Sequence, residues 1–111
     1  MTFDVFKTEI KSADYPVREA EFPKARTKEQ AIKPPFICFF RGADKSIYVG
    51  GKPVIYREEL TIELYTERDD TTSEKVLETF LREKDIPFKK TERAWITSEK
   101  FYVSIYKCEL L

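Results

Sequence analysis

The chain has 111 residues, with 20 Lys and Arg against 20 Asp and Glu, no His, two Cys, six Pro and three Gly. That length is one domain, able to bury roughly two thirds of its unfolded surface around a single core. Zero net charge argues against a dedicated nucleic-acid binder, which draws affinity from Lys and Arg neutralising phosphates, and the lack of His removes Ser-His and Cys-His catalysis and the commonest metal ligand.

Met1 to Ile10 carries Asp4, Lys7 and Glu9, so this stretch is neither a secretory apolar region nor a membrane span, and a cytoplasmic protein is expected. Phe3, Phe6 and Ile10 recur on one side of a helix behind Thr2, a usable N-cap, and the helix should stop before Asp14-Tyr15-Pro16. Lys24, Arg26, Lys28 and Lys33 face Glu29 alone in a polar stretch that ends at Pro34-Pro35, which reads as a basic loop.

Phe36 to Phe40 is a short apolar run, rich in aromatics and flanked by Pro and Gly, and therefore a strand with both faces covered. Gly42-Ala43-Asp44-Lys45 should end it. Ser46 to Val49 then leads into Gly50-Gly51, a pair suited to the positive φ values of a tight hairpin, so a projecting arm over Gly42 to Pro53 is expected. Leu60, Ile62 and Leu64 alternate with Thr61, Glu63 and Tyr65, giving a half-buried strand.

Thr71 and Glu74 have the spacing of a capping box, with Asp69 and Asp70 near the positive helix end. The stripe Val76, Leu77, Phe80 and Leu81 should pack on a sheet while Glu78, Arg82 and Glu83 stay in water, and Ile86-Pro87 closes the helix. Phe88 to Ile96 and Lys100 to Glu109 form a terminal hairpin about Thr97-Ser98-Glu99. The whole is an α+β domain over residues 1–111, with a mixed or antiparallel sheet of four to five strands and helices on one face. Its order is helix-strand-strand-helix-strand-strand, with a long hairpin arm.

Cys38 and Cys108 sit in apolar runs and read as core thiols, with a disulfide between neighbouring strands as the alternative. There is no CxxC, no DxDxDG loop, no GxxxxGK[ST] and no GxGxxG, so neither a metal nor a cofactor is expected. Glu58-Glu59 and Asp69-Asp70 are ordinary surface acids at this charge density. One feature stands out: Tyr48, Tyr56, Tyr65, Tyr102 and Tyr106 fall in or beside strands. Tyr packing within the sheet and Tyr at an assembly interface both fit.

Tyr15-Pro16-Val17, Pro35-Phe36-Ile37, Tyr48-Val49-Gly50-Gly51-Lys52 and Tyr56 open a longer pattern. It continues through Ile62-Glu63-Leu64-Tyr65-Thr66, Asp69-Asp70, Glu74, Phe88-Lys89-Lys90, Trp95-Ile96, Glu99, Tyr102 and Tyr106. This pattern resembles the small tail-completion proteins of long-tailed bacteriophages and prophages of Gram-positive bacteria, also called tail terminators or head-to-tail joining proteins. Its most specific part is the Glu-Leu-Tyr-Thr strand end running into an acidic, capped helix. The chain departs from the family at one turn, with Val49-Gly50-Gly51-Lys52 in place of an Ala-Asp-Gly-Lys type, which keeps the turn chemistry.

The resemblance implies a mixed sheet flanked by helices, a six-membered ring of this chain on the last layer of the tail tube, and no enzymatic activity. Its partners would be itself, the tail-tube protein and the head connector, first in the host cytoplasm and then in the virion tail. In that setting the five tyrosines are candidates for the contact between subunits. Lys24, Arg26, Lys28, Lys33, Asp44, Lys45, Gly50 and Gly51 are candidates for contacts between rings, the basic loop facing either an acidic connector surface or DNA in the lumen. A small regulatory or nucleic-acid-binding α+β module is the runner-up, and an enzyme with an enclosed pocket of perturbed carboxylates the third reading.

Overall fold

Thr2 accepts a hydrogen bond from Val5 N on its Oγ1, 3.2 Å away, and so starts a seven-residue helix, α1, over Phe3–Glu9. A 3-10 turn, Ile10–Ala13, extends it. The computed structural model describes residues 2–13, 15–19, 34–44, 46–55 and 57–111. The remaining elements are β1 (Val17–Glu19), β2 (Phe36–Asp44), β3 (Ile47–Val49), β4 (Lys52–Ile55), β5 (Glu58–Thr66), α2 (Ser73–Glu83), β6 (Phe88–Ile96) and β7 (Phe101–Leu110).

Five strands form one sheet in the order β1-β2-β5-β7-β6, while β3 and β4 form a separate two-stranded ribbon. β1 runs parallel to β2, and every other pairing is antiparallel. The architecture is therefore α+β with a mostly antiparallel sheet. The period-2 pattern sets the faces. Ile37 and Phe39 of β2, Leu60, Ile62 and Leu64 of β5, and Tyr106, Cys108 and Leu110 of β7 share one side, where Phe3, Phe6 and Ile10 and then Leu77, Phe80, Leu81 and Ile86 cover them. Phe39 meets the Phe6 ring edge-on with centroids 5.4 Å apart, and the Phe3 ring at 5.9 Å. Such pairs add to what area burial alone supplies.

Three local expectations are corrected. The run from Phe36 does not stop at Gly42: β2 continues to Asp44 through a bulge in which Gly42 and Ala43 lie between the Arg41↔Leu60 and Asp44↔Glu58 pairs. Gly42 allows this because a Cβ there would lie 2.9 Å from Glu59 Cβ. The start of α2 is not a Thr71–Glu74 capping box. Asp70 Oδ1 accepts from Thr72 N and Ser73 N, both at 2.9 Å, and Oδ2 from Ser73 Oγ. Glu78 does not stay in water either. Its Oε2 accepts from the Tyr106 hydroxyl at 3.0 Å, because the helix settles with this edge on β7.

The thiols of Cys38 and Cys108 are both buried. Cys38 pairs in register with Glu63, and Cys108 with Leu60 on the other face of β5, so the two cysteines point to opposite sides of the sheet.

Candidate assembly surface

The β3–β4 ribbon is an arm on the sheet. It leaves at the end where Asp44 pairs with Glu58, and its strands pair only with each other among the described residues. Gly50 and Gly51 make its tip with φ of 59° and 78°, both in the left-handed region, the requirement of a tight two-residue hairpin turn. Arg57 N donates to Ser46 Oγ at 3.2 Å across its base. The arm holds large apolar side chains in water: Ile47 is 43% exposed, Tyr48 55%, Val49 64% and Val54 56%. Two strands alone cannot bury them.

The tyrosines do not share a surface. Tyr106 is wholly buried on the helix side of β7, so it is a core residue and presents nothing to a neighbouring subunit. The register that pairs it with Ile62, and not the alternation itself, decides this. Tyr65 lies on the opposite face, stacked on Phe36 with centroids 4.6 Å apart and met edge-on by Phe101, while its hydroxyl donates to Glu63 Oε1. Tyr48 is in the arm, and Tyr102 sits at the far end of the sheet opposite Thr66. Asp44 closes β2 and Gly50 and Gly51 make the arm tip. Tyr56, Lys24, Arg26, Lys28, Lys33 and Lys45 lie outside the described residues.

A residue named in the sequence pattern, but not among the candidate contacts, lies beside Tyr102. Trp95 is its register partner on β6, with ring centroids 4.9 Å apart, and Arg93 Cζ stands 3.8 Å from the Tyr102 ring centroid. Trp95 remains 40% exposed, because α2 begins over Ser104 and leaves this end of the sheet open. Trp, Tyr and Arg are the residue types that carry most binding energy at interfaces. The signal in the sequence was the single Trp at an alternating position two residues after an Arg, but its partner Tyr102 is set by the hairpin register alone.

Along α2, charged groups that looked like a solvated face form a network onto β6 and β7. Glu74 accepts from Ser104 Oγ, and Lys90 Nζ stands 3.5 Å from both Glu74 Oε2 and Glu78 Oε2. Burial first, then the hydrogen bond and charge of Glu78, push the Tyr106 hydroxyl well above the ordinary Tyr value. Burial likewise pushes the Cys108 thiol up to about 12. Asp70 is the opposite case: burial alone would raise it, but the bonds from Ser73 and Thr72 outweigh that and hold it below the usual carboxylate range.

On the other side of the sheet a groove of about 540 Å³ is lined by Arg57, Lys89 and Lys107 together with Glu59 and Glu109. Arg57 Nη1 stands 3.8 Å from Glu109, and Lys107 Nζ donates to Thr61 Oγ1. Acids and bases are thus interleaved on both faces, and the described strands carry no basic stripe of the kind that tracks a phosphate backbone. Among the described residues no group of three or more His, Cys, Asp or Glu is arranged to hold a metal ion, and no helix is long and apolar enough to cross a membrane. The chain matches no protein-family model and no curated protein sequence.

Proposed function

We propose that this chain is a structural subunit of a long-tailed phage or prophage, which caps the tail tube as a ring and joins tail to head. Two things support the reading: the sequence resemblance, and the arm, whose Ile47, Val49 and Val54 stand in water on a ribbon too small to bury them. The arm carries the argument. A chain built to remain alone gains nothing from such a surface, whereas an assembling subunit buries it on contact. In this reading the order helix-strand-strand-helix-strand-strand, with its long hairpin between the first two strands, is the ring subunit's own. Its partners are further copies of itself, the tail-tube protein and the head connector, and the chemistry is binding alone, without cofactor.

Deletion of the gene from a phage or inducible prophage that carries it tests the proposal. Electron microscopy should then show tails of irregular length unattached to heads, with normal virions restored by complementation. Normal virions from the deletion strain would end this reading.

A further inference from the structure

We infer that the arm of one copy docks on the Trp95 end of a second copy, with β3 beside the Ala94–Ile96 edge of β6 and Val49 against Trp95 and Tyr102. The inference deepens the ring reading, from which it takes its biological setting, but it rests on four observations of the chain itself.

The first is reach. The base of the arm is level with the Asp44↔Glu58 pair, and Trp95 with Thr66 through Tyr102, so eight residues of β5 separate them. At about 3.3 Å per residue that is roughly 26 Å. Val49 is five residues from Asp44 and extends at most about 18 Å from it. The arm cannot touch the Trp95 end of its own chain, so the contact is between copies.

The second is the edge. The outer side of β6 pairs with nothing among the described residues. Its first half is guarded: Lys89, Lys90, Glu92 and Arg93 flank Thr91, and the register shifts between Lys90 and Glu92. Charges and bulges of this kind keep strangers off a strand edge. Ala94-Trp95-Ile96 has no charge and no bulge, which leaves a three-residue opening. β3 is three residues long. Main-chain pairing supplies affinity in such an addition, and side-chain contacts supply selectivity.

The third is chemistry. The open end presents Trp95, Tyr102 and Arg93, and the arm presents β-branched side chains that fit an aromatic floor. The fourth is charge. The Trp95 end carries Glu67, Asp69, Asp70 and Glu99 against Arg68, Arg93 and Lys100, a surplus of one acid, while the arm tip carries Lys52 directly opposite Val49.

Because the two surfaces differ and lie at opposite ends, the contact is heterologous, and repetition makes either a closed ring or an open chain. The apolar arm is small beside the roughly 800 Å² per partner of a stable interface. Single contacts are therefore weak, and they accumulate at high local concentration or when a ring closes.

The test mixes two full-length variants at about 1 mM under mild oxidation, Val49→Cys and Thr97→Cys, one carrying a mass tag so that mixed and like pairs separate by mass. Both positions are exposed, and the native thiols are buried. The mixed disulfide should exceed either like pair by about tenfold, and should fall to the level of a Val49→Cys and Glu83→Cys control when Trp95→Ala is added to the Thr97→Cys chain. A dominant Val49→Cys like pair, a yield unchanged by Trp95→Ala, or no yield above the control overturns the inference. Capping of tail tubes is scored separately by electron microscopy. Cross-linking without capping removes the tail setting and keeps the arm contact, and capping without cross-linking does the reverse.

Discussion

Asp70 shows how much one side chain can organise. Three donors converge on its carboxylate and hold the first turn of α2, so Asp70→Ala should cost about 1 kcal/mol in urea unfolding, the ordinary value of an N-terminal cap. Its lowered pKa gives the sign of the pH dependence. The stabilisation is complete above the unfolded carboxyl value near 3.8 and is lost as pH falls through the lower folded value. Asp70→Asn should therefore flatten the acid limb of a stability against pH curve. Tyr106 works in the other direction. Its folded value lies above the ordinary 10, so its contribution is complete below pH 10 and is lost as pH rises through the folded value. Tyr106→Phe should make the alkaline limb of thermal unfolding shallower, at a cost of about 1 kcal/mol near neutrality from the lost bond to Glu78.

At this scale the sequence was only half legible. That an acid would hold the start of α2 could be read from Asp69-Asp70, but Thr71 and Glu74 offered a competing spacing. The competition is settled by Ser104, thirty positions from Glu74, which claims that carboxylate for the sheet. No local pattern contains such a contact.

Elements were more legible than residues, because a strand or helix is written in many positions at once. The alternation over Leu60 to Leu64 placed β5 with the correct face inward, the stripe Val76, Leu77, Phe80 and Leu81 did so for α2 except that Val76 is only half-buried, and the Gly50-Gly51 pair placed the hairpin. In the sequence Gly42 looks like a terminator, which would make β2 shorter than it is. In the fold it is a bulge residue pressed against Glu59, where the close approach, and not a turn, requires the missing side chain. Gly42→Ala places a methyl 2.9 Å from Glu59 Cβ and 3.0 Å from its carbonyl oxygen, so a loss of about 1–3 kcal/mol is expected in urea unfolding.

For the whole molecule, the sheet has two unlike ends, an arm at one and an aromatic opening at the other. The face on which each Tyr falls could not be read beforehand, since a slip of one residue in the β5–β7 register would exchange Tyr106 for Ile105 in the core. The consequence for solution behaviour is direct. Val49 is exposed and touches little of its own chain, so Val49→Asp should change folding stability by less than about 0.5 kcal/mol. Sedimentation at high concentration should nonetheless show weaker self-association than the parent chain.

The placement of the two cysteines gives each layer of the protein its own reporter. Cys108 lies under the helices, and Cys38 lies on the opposite face, with β5 between them. A thiol reagent added under mildly denaturing conditions therefore reads the detachment of the helical layer at one site and the opening of the other face at the second. Mass mapping of the first labelled thiol should find Cys108 if α1 and α2 lift from an intact sheet. Simultaneous labelling of both would mean that sheet and helices part in a single step.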